Sequence, residues 1–102
     1  MFIYNVTTKV DWSIHDAWLQ WMRTEHMNEV VATGCFHQHR LLRIIEIDDT
    51  DGPTYAAQYT ASSKADYNRY INNYADSLRN KTLQKWGNRL IAFRSLMQEV
   101  DG

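Results

Sequence analysis

Residues 89–100 read RLIAFRSLMQEV and decide the fold, because an extended chain carries their apolar side chains on both of its faces. One parity carries Ile91, Phe93 and Met97, and the other carries Leu90, Ala92 and Leu96. One layer of helices covers only one face of a sheet, and an uncovered apolar patch beyond roughly a few hundred Å² is rare in a monomer. This strand therefore predicts a sheet whose second face is covered as well.

Three further runs show the β-branched and aromatic content that is typical of strands. They are Phe2–Val10, residues 35–47 and residues 54–61. The segment 48–53 reads DDTDGP, and this density of turn residues predicts a hairpin connection between the second and third strands. Together with residues 89–100, the chain is expected to form four strands.

The first helical stretch follows strand one, where Asp11 or Ser13 can provide the N-cap. With about 100° between successive residues of a helix, the apolar side chains of this stretch fall on one arc. The arc consists of Ile14, Ala17, Trp18, Leu19, Trp21 and Met22. The pattern predicts an amphipathic helix to about Thr24.

The register of this helix breaks between residues 24 and 27. A continued α-helix would place Glu25 in the middle of the apolar face and Met27 on the polar face. We therefore predict a kink or a second short helix at this point. Gly34 stands where a helix C-cap needs a residue in the left-handed conformation, so the helical stretch should end there.

The second helical stretch begins at Ser63, which forms a weak capping box with Asp66. Its apolar stripe consists of Tyr67, Tyr70, Ile71, Tyr74 and Leu78. We expect residues 81–86 to continue as helix after a break, and Gly87 to end it. The stripe indicates a core face, because no basic groove accompanies the tyrosines as a base-stacking platform would need.

The resulting order β-α-β-β-α-β is that of a ferredoxin-like fold. Right-handed crossovers place both helices on one face of a four-stranded antiparallel sheet. We expect a single α+β domain over residues 1–102. A second copy of the chain, related by a two-fold axis, would cover the other face and make a homodimer.

Charge and hydropathy narrow the classes of partner. The net charge is −1, with acids and bases interspersed, so we expect neither nucleic acid nor an anionic membrane as a partner. The sequence has no secretory leader and no run near the roughly 18 apolar residues of a membrane span, which predicts a cytoplasmic protein. The lone Cys35 is expected to be a buried, inert thiol.

Glu25 and His26 are candidate site residues, because they lie where the first helix loses its register, at the end of the arc that carries Trp18. Apolar rings nearby can shift the pKa of a carboxyl or an imidazole towards acid-base work, or the imidazole can orient a ligand. The alternative is that both side chains satisfy backbone groups at the break.

Asn5, Gln58 and Arg94 are polar residues inside otherwise apolar strands, and Arg40 is a fourth of this kind. If helices and sheet leave a cleft, these side chains, with a nearby tyrosine such as Tyr4, can bind a small polar or anionic ligand. The alternative is a buried hydrogen-bonded network that sets strand register or dimer pairing.

His37 and His39 are two residues apart, so a strand would place both imidazoles on one face roughly 7 Å apart. This spacing permits joint metal ligation, but a catalytic metal needs a third ligand, which His15, His26 or an acid could supply only through folding that the sequence does not reveal. The expected sheet order also makes this an edge strand, where polar residues discourage aggregation. We therefore predict no metal and no cofactor.

Short motifs along nearly the whole chain carry a family resemblance. They are FIYNVT (2–7), WLQWM (18–22) with His26 following, ATGCF (32–36), RLLR (40–43), TYAAQY (54–59), GNR (87–89) and AFRSL (92–96). Together they resemble a family of short bacterial domains of unknown function. The resemblance implies a dimeric α+β barrel, a fold shared with antibiotic-biosynthesis-type monooxygenases and muconolactone isomerases, and it implies no single activity.

Three functions follow as hypotheses. The leading one is a homodimeric α+β barrel that binds a small molecule in a cleft between helices and sheet. The second is an enzyme of the cofactor-independent monooxygenase or isomerase kind, with an ionisable group such as His26 or Glu25 opening into the cleft. The third is a structural or interaction module, which predicts a cleft filled by Trp18, Trp21 and the tyrosines.

Overall fold

Strands with alternating inward and outward side chains build the sheet. The computed structural model describes residues 1–101. Its strands are β1 (Phe2–Val10), β2 (Gln38–Ile44), β3 (Thr54–Ala61) and β4 (Leu90–Gln98). They lie in the order β2-β3-β1-β4, and every neighbouring pair is antiparallel. The predicted ferredoxin-like β-α-β-β-α-β topology, with β2 at an edge, is confirmed.

The bounds of β1 and β3 agree with the prediction, whereas β2 is shorter than the predicted residues 35–47. At its beginning, Cys35 and Phe36 are buried in the core, as part of the connection from the helices. At its end, Glu46 adopts a left-handed φ of 61°, which is incompatible with an extended strand. The two ends of the apolar run thus serve the connections on either side of β2.

The first connection contains four helical segments. A 3-10 turn (Trp12–Ile14) leads into α1 (His15–Trp21), a π-helix (Met22–His26) and α2 (Met27–Ala32). The Asp11 carboxylate caps the start by accepting a hydrogen bond from the Ser13 backbone N–H at 2.8 Å. Gly34, with a φ of 80°, follows the end of α2 in the predicted left-handed conformation.

The π-helix explains the predicted break in register. The Met27 backbone N–H donates to the Met22 carbonyl, five residues back, so this turn holds one residue more than an α-helical turn. The extra residue leaves Glu25 exposed and brings Met27 into the core, where it is 1 % exposed. The predicted break between residues 24 and 27 is confirmed.

The second connection consists of α3 (Lys64–Asn73) and α4 (Ala75–Trp86). The Ser63 hydroxyl caps α3, and Gly87, at a φ of 60°, ends α4, both as predicted. The predicted position of the break, just before residue 81, is wrong, because the helix breaks at Tyr74. The rotation at this point buries Ala75 completely and leaves Tyr74 37 % exposed.

Both connections pack on the same face of the sheet, which we call the covered face. The Trp18 ring of α1 lies 5.2 Å from that of Tyr55, and the Tyr70 ring of α3 lies 5.5 Å from that of Tyr4. Tyr4 is directly opposite Tyr59 across β1 and β3, so alternation assigns these strand tyrosines to one face. None of the helices in residues 1–101 is long and apolar enough to cross a membrane.

The other face carries no helix, and we call it the open face. By strand alternation it consists of Ile3, Asn5, Thr7, Arg40, Leu42, Ile44, Ala56, Gln58, Ile91, Phe93 and Met97, with neighbouring polar residues. Ile91 is 72 % and Phe93 62 % exposed, which is unusual for large apolar side chains on a strand.

Candidate functional site

A cavity of about 230 Å³ lies between the helices and the covered face of the sheet. Its lining comes from β1, β3, β4, α1, the π-helix, α2, α3, α4 and the turn after α4. The lining residues are Tyr4, Val6, Thr8, Trp18, Trp21, Met22, His26, Val30, Ala57, Tyr59, Tyr70, Leu78, Arg79, Thr82, Leu83, Gly87, Leu90, Ala92 and Arg94. This set contains two arginines and a histidine but neither aspartate nor glutamate.

Small residues on the sheet leave room for the cavity. Ala57 of β3 and Ala92 of β4 lie on the covered face, where their larger neighbours fill the core. The indole of Trp18, which is 2 % exposed, and the phenol of Tyr59, which is 1 % exposed, form walls on the helix side and the sheet side. The site is therefore a gap inside the aromatic core that short side chains keep open.

The π-helix brings His26 to the cavity. The imidazole stacks on the Trp21 ring, with 4.6 Å between ring centroids and 21° between planes. The pKa of His26 is lowered to about 4, mainly by burial, which Lys81 and Arg94 reinforce and Glu29 opposes. The ring is therefore neutral at pH 7 and offers one donor and one acceptor. Within residues 1–101, its buried Nδ1 has no hydrogen-bond partner.

Buried phenols supply hydroxyl groups to the cavity. The Tyr4 hydroxyl accepts a hydrogen bond from the Arg79 guanidinium at 3.1 Å. Burial raises the pKa of Tyr59 and of Tyr70 well above the usual range of a phenol. Both hydroxyls therefore stay protonated at physiological pH, so each keeps an O–H donor.

Two guanidinium groups line the cavity, one from α4 and one from β4. Arg79 is half-buried and Arg94 is exposed. Among residues 1–101, neither forms an ion pair with a carboxylate, unlike Arg43, Arg69 and Lys81. The buried Nε of Arg79 also lacks a hydrogen-bond partner in the same part of the chain. Asp76 acts on Arg79 through space without an ion pair, so the lining itself carries two positive charges and no carboxylate.

The structure brings together three of the candidate ligand-binding residues, since Trp18, His26 and Arg94 all line the cavity. Glu25 lies outside it, on a shallow groove that Glu29 and Lys81 also line. The lost α-helical register had suggested an apolar environment for Glu25, but the π-turn directs this residue to solvent. The roles of these residues in ligand binding stay predictions.

Asn5 and Gln58 lie on the open face, so they do not reach the cavity. There they form a chain of hydrogen bonds with Arg40 and Thr7. The Arg40 Nε donates to the Gln58 Oε1 at 2.9 Å, and the Gln58 Nε2 donates to the Asn5 Oδ1 at 3.2 Å. The Asn5 Nδ2 then donates to the Thr7 hydroxyl at 3.0 Å. These hydrogen bonds cross three strands. This is the arrangement expected if the polar side chains form a hydrogen-bonded network that sets strand register or dimer pairing.

His37 and His39 are both exposed beside the edge of the sheet, at and just before β2. The described residues, 1–101, contain no group of three or more His, Cys, Asp and Glu side chains placed to hold a metal ion. Cys35 is buried, at 2 % exposed.

Sequence reasoning missed Arg79 as a residue of the cavity. Its signal is the spacing of α4, in which Ala75, Leu78, Arg79 and Thr82 recur three or four residues apart on one face. That face becomes visible only when the helical wheel restarts after Tyr74. A wheel continued from α3 conceals it, because the break rotates the second helix.

Solved structures of the same fold come from several sources. A dimeric ferredoxin-like protein from an uncultured marine organism has a TM-score of 0.68 at 14% identity, over 99% of this chain and 96% of that one. A second dimeric ferredoxin-like protein from an uncultured marine organism has a TM-score of 0.65 at 12% identity, over 100% and 97% of the two chains.

An enzyme is also among the similar structures. A mutant of SnoaB, a cofactor-independent oxygenase from Streptomyces nogalater, has a TM-score of 0.67 at 14% identity, over 99% of this chain and 95% of that one. Likeness at such low identity establishes the fold and not the activity.

Sequence comparison identifies a family without assigning an activity. No curated protein matches the chain. The sequence matches the family described as domain of unknown function (DUF4286) over residues 1–100, so the chain belongs to this family, and the resemblance to a family of unknown function is confirmed.

Proposed function

We propose that the protein is a homodimer that binds a small organic molecule in the cavity beneath its helices. The observation that carries this proposal is an aromatic-walled cavity of about 230 Å³ with polar groups of His26 and Arg79 unpartnered beside it. Concave apolar sites with a few convergent polar groups are the usual form of small-molecule sites. An interaction module predicts a cleft that is filled, so the cavity favours a ligand.

The unpartnered polar groups supply a physical reason for a ligand. A buried donor or acceptor without a partner costs about 1–3 kcal/mol, and more when it is charged. Among residues 1–101, the His26 Nδ1, the Arg79 Nε and the Trp86 Nε1 have this status, and the first two belong to residues that line the cavity. A bound molecule or ordered water would remove the cost, and only the molecule would also fill the apolar space between Trp18 and Tyr59.

Ligand binding can be tested by thermal denaturation with a library of small organic compounds. A true ligand stabilises the folded state, by about 2.7 kcal/mol at a hundredfold excess over its Kd. We expect Ala57→Leu, which fills the cavity from β3, to abolish this stabilisation. The matched control is Ala17→Leu at an exposed position of α1, which should retain it. Equal shifts in both variants would place the ligand elsewhere.

The homodimer rests on the open face. Exposed apolar side chains such as Phe93 and Ile91 flank the hydrogen-bonded chain around Gln58, so the face has an apolar border and a satisfied polar centre. A two-fold axis pairs such a face with a copy of itself and removes the exposed apolar area from water. The two ferredoxin-like proteins of similar fold that are described as dimeric support this assembly.

Sedimentation at micromolar concentration tests the dimer. We expect a species of twice the 12.1 kDa mass of one chain. Phe93→Asp should give the monomer, because it places a charge at the interface. Leu83→Asp is the matched control, since Leu83 is 63 % exposed on the helix side and Phe93 is 62 % exposed on the open face. A soluble wild-type monomer would contradict the proposal.

An enzyme of the cofactor-independent oxygenase or isomerase kind is the second candidate. The imidazole of His26 is the ionisable group that such an enzyme would use, because it lines the cavity and is unprotonated at pH 7, but its pKa of about 4 makes it a weaker base than an ordinary histidine. The fold shared with an oxygenase supports this candidate by analogy alone. Each compound that stabilises the protein should be assayed for turnover and oxygen uptake. Activity that His26→Gln abolishes without weakening binding would support the enzyme.

A further inference from the structure

The charged residues that line the cavity are of one sign, and this restricts what the cavity can bind. Arg79 and Arg94 line it, and no carboxylate does. Both guanidiniums act on the Tyr70 hydroxyl, where each lowers the pKa against the dominant effect of burial. Arg94 is directly opposite Val6, which is the next covered-face residue after Tyr4 on β1, and the Tyr4 hydroxyl binds Arg79, so the two guanidiniums belong to neighbouring parts of the lining.

The Arg79 guanidinium lacks one acceptor among the described residues. Arg79 uses one of its terminal nitrogens on the Tyr4 hydroxyl and leaves its Nε without a partner within residues 1–101. A guanidinium has only donors, so its partner must be an acceptor, and a carboxylate fits its planar fork best. A cationic ligand would meet two positive charges and no acid.

The rest of the cavity fits a flat apolar group. Its walls include the rings of Trp18, Trp21, Tyr59 and His26. Aromatic rings pack well in offset-stacked or edge-to-face arrangements with such walls. A cavity of about 150 Å³ holds benzene, so the 230 Å³ found here has room for one ring and a short polar arm.

We propose that the ligand of this cavity is a compact monocyclic aromatic carboxylate, with its ring between Trp18 and Tyr59 and its carboxylate on Arg79 and Arg94. This inference rests on the proposed ligand-binding function and adds the chemical class of the ligand. Arg94, which is exposed, captures the anion at the mouth, and Arg79, which is half-buried, holds it inside. His26 is neutral at pH 7, so the two arginines are the cations that bind the carboxylate.

Three probes of one shape and different charge test the inference. They are benzoate, benzyl alcohol and benzylamine, each titrated against the wild-type protein at pH 7 and low salt by calorimetry and tryptophan fluorescence. We expect benzoate to bind at least about tenfold more tightly than benzyl alcohol, the ratio that one charge-assisted hydrogen bond supplies. Benzylamine should bind most weakly.

Two variants that each remove one positive charge test whether the preference for benzoate arises in the cavity. Arg94→Gln should weaken benzoate by about tenfold and leave benzyl alcohol unchanged. Arg23→Gln, at an exposed position of the π-helix outside the cavity, should leave both unchanged. Salt should weaken benzoate more than benzyl alcohol, because it screens only the charged probe.

The outcomes separate the ligand class from the ligand-binding function. If benzyl alcohol or benzylamine binds as tightly as benzoate, or if Arg94→Gln and Arg23→Gln behave alike, the carboxylate is overturned while binding in the cavity stands. If none of the three probes binds, and no compound gives a stabilisation that Ala57→Leu removes, both the ligand class and the proposed function are overturned.

Discussion

The two faces of the sheet are built from the same four strands, yet the chain covers only one of them. On the covered face, Trp18 and Tyr59 are almost completely buried around a cavity. On the open face, Ile91 and Phe93 remain largely exposed beside a chain of satisfied polar side chains. Apolar content alone therefore does not distinguish a face that the helices cover from a face that stays exposed in the single chain.

The polar groups of the two faces differ in the same way. Asn5 and Gln58 of the open face hydrogen-bond to each other and to their neighbours. On the covered face, the His26 Nδ1 and the Arg79 Nε have no partner within residues 1–101. A satisfied network suits a fixed protein interface, whereas unsatisfied groups beside a cavity suit a ligand that comes and goes.

The largest expected effect is on the packing of the covered face. Trp18→Ala should lower the free energy of unfolding by about 3–5 kcal/mol, because the indole is 2 % exposed and its loss enlarges the cavity. The matched control is Trp12→Ala, since Trp12 is 45 % exposed and should cost about 1 kcal/mol through its hydrogen bond to the Asp49 carbonyl. Urea denaturation measures both. Equal losses would mean that the covered face is not the core.

The next effect is the pH dependence that burial of His26 imposes on stability. The imidazole has a pKa of about 4 in the folded protein and a model value of 6.5 when unfolded. The unfolded chain binds more protons between these values, so stability is complete above pH 6.5 and falls as the pH drops towards 4. The loss should be roughly 3 kcal/mol.

Urea denaturation of wild type and His26→Gln from pH 7.5 to pH 4 isolates this contribution, because the other titrating groups are common to both proteins. The difference in free energy of unfolding between wild type and His26→Gln should change by roughly 3 kcal/mol between pH 7.5 and pH 4. His37→Gln, at an exposed imidazole, should retain the wild-type profile. Parallel profiles for wild type and His26→Gln would show that His26 is solvated and not held against Trp21.

At pH 7 the same His26→Gln variant distinguishes a ligand role from a structural role. If the imidazole serves the cavity, the variant should lose under about 1 kcal/mol of stability while losing the stabilisation by ligands. If it ties down the break between α1 and α2, the cost should be about 1–3 kcal/mol with ligand shifts unchanged. The second outcome would remove His26 from the site and weaken the case for an enzyme.

A smaller loss of stability is expected from a substitution on the open face. Asn5→Ala removes the hydrogen bonds to Gln58 and Thr7 and should cost about 1–2 kcal/mol. Gln38→Ala, at an exposed position of the same face, is the control and should lie within about 0.5 kcal/mol of wild type. Chemical denaturation at a fixed protein concentration compares them. If the two variants are equally stable, the polar chain contributes nothing to this face.

The smallest expected effect is on metal content and stability at the edge of the sheet, which lies outside both the cavity and the open face. Removal of metal with EDTA should leave the thermal midpoint unchanged, because within residues 1–101 no third ligand is placed to hold a metal ion with His37 and His39. Elemental analysis of untagged protein should show no stoichiometric zinc, iron or copper. A near-equimolar metal that disappears in the His37→Ala, His39→Ala double variant would reverse the prediction.

The sequence predicts the fold well because its signals are local. The capping by Asp11 and Ser63, the left-handed Gly34 and the turn at 48–53 each need only a few neighbouring residues. The break between residues 24 and 27 was predictable from conflicting helical phases. Its cause, a π-turn, was not, because a phase conflict alone does not say whether a helix kinks, stops or gains a residue.

The candidate site was less predictable because it depends on which face of each strand meets the helices. β4 is apolar in both parities, so its pattern does not separate Arg94, which lines the cavity, from Phe93, which lies on the open face. The same ambiguity placed Asn5 and Arg94 in one candidate ligand site, although they lie on opposite faces of the sheet. Only packing against the helices resolves this parity.

The π-helix has a consequence for the comparison of related sequences. Because Met22–His26 holds one residue more than an α-helical turn, it behaves in an alignment as a single-residue insertion. A continuous α-helix one residue shorter would keep the side chains of α1 and α2 on the same faces as here, because the π-turn accommodates the extra residue without rotating the flanking helices. A one-residue gap in this segment would therefore mark the loss of the π-turn and not a different face of α2 against the sheet.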